Sequence, residues 1–239
     1  MRRIPRWRER YARGSSATTL ALTVPDLRYA VYLRPSYEMS RAQAEVHDVL
    51  ERQYGLRAAG NFMPHATIKG FFRSEASEGS IAARLDAVFD GRDAFDVFNG
   101  GTAPFGRDGI AIDINSTSEG TPNVHLQDLH QAVMDAVMPL VDPACAFTRK
   151  EMELAYERFR AHLTLAMADV PEQLFDEVLA LVQEADPIGP SSFLANTVQL
   201  IAFHSEDWEG RWWEPLRWRL LRSWPLRTSE NPPSTHSGE

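Results

Sequence analysis

One cysteine, two lysines and no long apolar run set the first limits on this chain of 239 residues. With Cys145 alone, no intrachain disulfide can form, nothing marks an oxidising compartment, and a cysteine-based zinc cluster is excluded. No stretch reaches the roughly 18 apolar residues of a membrane span, and no signal-peptide core is present. The expectation is a cytoplasmic protein with no membrane partner. Lys69 and Lys150 are the only lysines, and the other basic residues are all arginine. A formal net charge of -8 argues against broad electrostatic capture of long nucleic acid, yet leaves room for a local basic pocket. Apolar residues make up 44% of the chain, enough for a full core.

What is present twice is more informative. Phe62-Met63-Pro64-His65-Ala66-Thr67-Ile68 returns as Phe159-Arg160-Ala161-His162-Leu163-Thr164-Leu165. Both read Phe-x-small-His-x-Thr-aliphatic. Seven histidines and twelve threonines in this length would meet as His-x-Thr less than once by chance. In an extended strand, side chains alternate between faces. His65 and Thr67 therefore point one way, as do His162 and Thr164, while Ala66, Ile68, Leu163 and Leu165 enter the opposite layer. Two imidazoles and two hydroxyls suit a metal-free site that moves protons around a phosphate.

With these motifs the chain resembles the 2H phosphoesterases, which include the bacterial 2′-5′ RNA ligases and cyclic nucleotide phosphodiesterases. Their hallmark is a paired His-x-Thr/Ser with apolar flanks, about one hundred residues apart. Pro64-His65-Ala66-Thr67-Ile68 is close to the usual first motif. In the second, Ala161 stands where proline is common. The resemblance spans about residues 28–222. It implies an α+β fold of two pseudo-symmetric lobes, each an antiparallel sheet backed by helices, facing each other across a cleft. Each lobe would contribute one His-x-Thr.

Local patterning agrees with antiparallel α+β architecture. Strands are expected over 29–33, from the first motif to Phe72, over 95–98 and 109–114, and as a closing hairpin over 197–204 and 213–221. Helices are expected from a Ser40 cap to Tyr54 with Gly55 as the stop, over 80–89, over 124–140, and from Pro171 to Ala185. The Arg-rich segment 1–27 is expected to be an arm, partly disordered, residues 28–222 the domain, and residues 223–239 a disordered tail.

Phosphodiester cleavage needs a base for the attacking oxygen and an acid for the leaving one. His65 and His162 fit those roles, and near-symmetry leaves either assignment open. Thr67 and Thr164 are in register to donate to the charged phosphoryl oxygens. No acidic cluster with metal-ligand spacing accompanies the motifs, so neither a metal nor another cofactor is implied. Further substrate-contact candidates are Lys69, which continues the His65–Thr67 alternation, Tyr156 and Phe72 as base-stacking rings, and Arg158 and Arg160 as phosphate contacts. Core packing is the competing reading for both rings, plain surface placement for both arginines, and for Lys69 a bend at Gly70 that turns it to solvent. His47 reads as a solvated helix residue. Trp208, Trp212, Trp213 and Trp218 crowd the last hairpin and read as a packed lid over the second lobe, with a substrate-stacking wall as the sharper alternative.

The expected activity is metal-independent hydrolysis of RNA-derived 2′,3′-cyclic phosphates or 2′-5′ linked ribonucleotides. The alternatives are a 3′-end RNA exonuclease on the same scaffold and a non-catalytic binder of nucleotides or RNA ends. The expected partner is a nucleotide or RNA end, with the protein as a monomer.

Overall fold

A computed structural model describes residues 26–106, 109–145 and 159–228. Tyr156 and Arg158 lie outside the described residues, as do the arm up to residue 25 and the tail from residue 229.

The fold is α+β. Strands β1 (Leu27–Leu33), β2 (Ala66–Phe72), β4 (Thr102–Phe105), β5 (Gly109–Asp113), β6 (His162–Ala166), β8 (Thr197–His204) and β9 (Arg217–Pro225) form one sheet. Its order is β4-β5-β6-β2-β1-β8-β9, with antiparallel neighbours throughout. Strands β3 (Phe95–Phe98) and β7 (Ser192–Ala195) pair separately. Around them lie helices α1 (Tyr37–Tyr54), α2 (Glu78–Phe89), α3 (Val124–Val137) and α4 (Phe175–Glu184).

Helix boundaries follow their caps. Ser36, not Ser40, starts α1: its hydroxyl accepts from the Met39 N–H, one turn earlier than expected. Gly55 ends the helix at φ 73°, the left-handed conformation that glycine adopts without a Cβ clash. The Ser77 hydroxyl caps α2, and the Asn123 side chain accepts from His125 and Leu126 N–H to start α3.

Three placements differ from simple chain halves. First, β8 and β9 extend the sheet of β1 and β2, so the C-terminal hairpin belongs beside the first motif. Strand β1 is buried on both faces and needs a neighbour at each edge, which β2 and β8 provide. Second, the helices cross over. Helix α1 packs against β6, and α3 packs against β2. Third, the last strand runs past the expected limit of 222. Trp224 packs on Phe89, Leu226 is buried, and Arg227 N–H bonds the Arg92 carbonyl.

The main core lies between the sheet and the helices, with Val31, Leu33, Ala66, Ile68, Leu163, Leu165, Val198 and Leu200 from the strands. On the other face of β1, β2 and β8, a second cluster joins Ala30, Tyr32, Phe62, Phe71, Ile201 and Phe203, closed over by Trp208 and Trp212. These tryptophans thus cover the first motif's side of the sheet, a correction to the expected lid over the second lobe. Among the described residues, no helix is long and apolar enough to cross a membrane.

Candidate active site

The motif strands β2 and β6 are neighbours, and their register pairs Ala66 with Leu163, the middle residue of each His-x-Thr. Both middle residues are fully buried in the main core. Alternation then turns the flanking side chains, His65, Thr67, His162 and Thr164, to the opposite face. Carried one residue either way, this antiparallel register sets His65 across from Thr164 and Thr67 across from His162. Each histidine thereby faces the other motif's hydroxyl.

Only that one pair joins the two strands, so their backbones need other partners. The Thr164 carbonyl accepts from Gln43 Nε2 at 2.8 Å and lies 2.9 Å from His47 Nε2, both on α1. The Ile68 carbonyl lies 2.7 Å from His130 Nδ1 on α3. Each motif strand is thus braced by the helix that precedes the other motif. His47 is not the solvated residue expected: it is half-buried, and desolvation lowers its pKa against the opposing effect of the Thr164 carbonyl.

The histidines share one local device. His65 Nδ1 sits 2.7 Å from the Met63 carbonyl, and His162 Nδ1 sits 2.9 Å from the Arg160 carbonyl. A carbonyl only accepts, so Nδ1 carries the proton in the neutral ring and Nε2 is left to work on a substrate. Each ring also lies on an aromatic partner. Tyr32 stacks on His65 with centroids 3.8 Å apart, and Phe105 stacks on His162 at 3.7 Å.

Their electrostatic settings differ. Burial, aided by the charges of His162 and His47, pulls His65 down from 6.5 to about 4, against the pull of the Met63 carbonyl. Burial lowers His162 as well, but the Arg160 carbonyl and the Asp113 carboxylate oppose it. Asp113 is the direct cross-strand partner of His162 on β5. His65 therefore rests as a neutral acceptor, and Asp113 is a negative neighbour that favours the charged form of His162.

The secondary candidates separate. Arg160 is exposed and lines a hollow with His162, so it stands beside the site. Lys69 does not face an open cleft. The β1–β2 register shifts between Val31 and Tyr32, breaking the alternation, and Lys69 is 0% exposed. Its ammonium donates to the Gly70 carbonyl and lies 5.5 Å from the Phe72 ring centroid. Phe72 is likewise corrected to the core, where it packs on Tyr29. Phe71 takes the histidine face instead, beneath Trp208 and Trp212. Sequence reasoning missed Tyr32, Phe105, Asp113 and Gln43. Only Asp113 carried a signal, as the one charge in the alternating run of β5. Among the described residues, no group of three or more His, Cys, Asp or Glu is arranged to hold a metal ion.

Residues 36–207 match the family model for the 2′-5′ RNA ligase superfamily, and the chain belongs to that superfamily of phosphoesterases. Among solved structures, TT0787 of Thermus thermophilus is similar at 13% identity and a TM-score of 0.56, covering 85% of this chain and 100% of that one. Escherichia coli LigT complexed with ATP matches at 15% identity and a TM-score of 0.48, covering 86% and 100%. Kluyveromyces marxianus Usb1 matches at 9% identity and a TM-score of 0.39, covering 84% and 99%. Comparison with curated proteins finds no match.

Proposed function

We propose that the protein is a metal-independent phosphodiesterase acting on RNA-derived 2′,3′-cyclic phosphates or 2′-5′ linked ribonucleotides. The observation that carries this is the Ala66–Leu163 pairing, which sets two imidazoles and two hydroxyls on one face of adjacent strands. On a 2′,3′-cyclic phosphate, His65 Nε2 takes a proton from the attacking water as its oxygen bonds to phosphorus. His162 protonates the ribose oxygen as its bond to phosphorus breaks. Thr67 and Thr164 donate to the phosphoryl oxygens that gain charge in between. The proton accepted by His65 and the one given by His162 balance after exchange with solvent.

The test is turnover of 2′,3′-cyclic nucleotides and 2′-5′ dinucleotides by His65→Ala and His162→Ala. Both should be inactive while keeping the fold, and near-normal activity in either would refute the assignment. Thr67→Val and Thr164→Val should lower kcat on the order of 10–1000-fold, the usual scale for losing a transition-state donor. An effect confined to KM would place the hydroxyls in ground-state binding only.

A further inference from the structure

We propose that the hollow beside His162 is a nucleobase subsite selective for guanine. This deepens the phosphodiesterase reading and rests on it for the position of the phosphate. The hollow measures about 230 Å³ and is lined by Ala103, Phe105, Ala111, Asp113, Arg160 and His162, among others. Pockets enclosing drug-sized ligands run to roughly 300–1,000 Å³, so this one suits a single ring system.

Its floor, wall and rim each match a feature of a base. Ala111 pairs with Thr164 on one side and with Ala103 on the other. The surface next to the Thr164 hydroxyl is therefore two methyl groups, low enough for a flat ring to lie close to the sheet. Phe105 forms the wall. It stacks on His162, as Tyr32 stacks on His65, but Tyr32 is 3% exposed and Phe105 is 39%. Of two aromatics in the same relation to a catalytic ring, only one offers surface to a ligand. Exposed aromatic surface beside a phosphate site is the usual stacking platform for an unpaired base.

The polar groups select among bases. Asp113 Oδ1 accepts from the Asn115 N–H, and its Oδ2 makes no hydrogen bond among the described residues. A carboxylate only accepts. Guanine is the common base with two adjacent donors, N1–H and the exocyclic amine, and these match a carboxylate. Adenine and cytosine would set a ring acceptor against it, and uracil would flank one donor with two carbonyls. Arg160, also on the rim, supplies donors of the kind that meet guanine O6 and N7.

The experiment compares kcat/KM for guanosine, adenosine, cytidine and uridine 2′,3′-cyclic phosphates with wild type and Asp113→Asn. Asp113 also influences His162, so the readout is the ratio between bases, from which a common effect on chemistry cancels. Wild type should favour guanosine by on the order of tenfold or more, and Asp113→Asn should erase most of that preference. Phe105→Ala should cost the guanosine substrate more than a base-free ribose 2′,3′-cyclic phosphate. Rates within about threefold across the four bases, or a ratio untouched by Asp113→Asn, would overturn the subsite while leaving the phosphodiesterase reading intact. Binding of 3′-GMP and 3′-AMP separates the two claims. Preference for 3′-GMP without turnover of any substrate would support the subsite and sink the activity, whereas equal binding would sink the subsite.

Discussion

Replacing His65 by asparagine should remove a defined part of the protein's sensitivity to acid. His65 is buried between Tyr32, Phe62 and the backbone of its own loop. Burial, with the neighbouring imidazoles, brings it from an ordinary 6.5 to about 4. Between those values the unfolded chain binds a proton that the folded one refuses. The stability tied to this group is therefore complete above the unfolded value, shrinks as pH falls through that window, and declines no further below the folded value. From the two values, the loss amounts to ~2 kcal/mol at about pH 5 and ~3 kcal/mol at about pH 4. Asparagine offers an N–H near the Nδ1 position for the Met63 carbonyl but does not titrate. Carboxylates, His47 and His162 titrate in both proteins, and their contributions largely cancel in the comparison. Urea unfolding at about pH 7.5 and about pH 5 measures it, and wild type should lose ~2 kcal/mol more than His65→Asn over that interval. The variant starts less stable, having lost the Tyr32 stack, so the two proteins should converge on acidification. Equal losses, within about 0.5 kcal/mol, would mean that His65 charges freely in the folded state and would refute the buried-neutral argument.

The depressed His65 and the Asp113 carboxylate beside His162 should both shape catalysis. kcat/KM should follow a bell with its acid limb displaced below the usual imidazole range, and Asp113→Asn should draw the alkaline limb to lower pH, because protonated His162 loses a favourable charge. An unmoved alkaline limb would remove Asp113 from that role. Activity should survive millimolar EDTA, and inhibition reversed by a divalent cation would defeat the two-histidine mechanism. Gln43→Leu should cost ~1 kcal/mol, since the Thr164 carbonyl retains His47. Adding His47→Leu should cost more than the two single changes together, and a double-mutant cycle that came out additive would show that the two donors do not share that carbonyl.

Much of this architecture could be read locally. Alternation around each His-x-Thr told which residues enter the core, and Ala66 and Leu163 are buried there. Strand β8 spans the expected residues, and α2 and α3 start at caps close to where patterning put them. What escaped was set by partners far along the chain. Strand β4 reads Thr-Ala-Pro-Phe, and Pro104 argues against a strand unless it lies at an edge, which is where β4 sits. Strand β7 is four residues long, held by β3 nearly one hundred positions earlier. Asp113 is exposed at the end of β5, and only the pairing of β5 with β6 sets it across from His162. His47 sat in a charged helix, and nothing in that helix says its inner face meets the second motif. The Lys69 expectation failed because a register shift ends the alternation after Thr67 and turns Lys69 into the core, not to the cleft.

The crossed helices have a consequence for how the protein can be built and how it can change. Each histidine strand pairs with its own sheet neighbour, β1 or β5, and is also propped by the helix that precedes the other motif. The spacing of the two motifs therefore rests on two diagonal struts, as in a truss, as well as on the lone Ala66–Leu163 bridge. On this plan, mutations that loosen α1 should be felt at His162, and those that loosen α3 should be felt at His65. The two motifs thus behave as a single mechanical unit tied corner to corner.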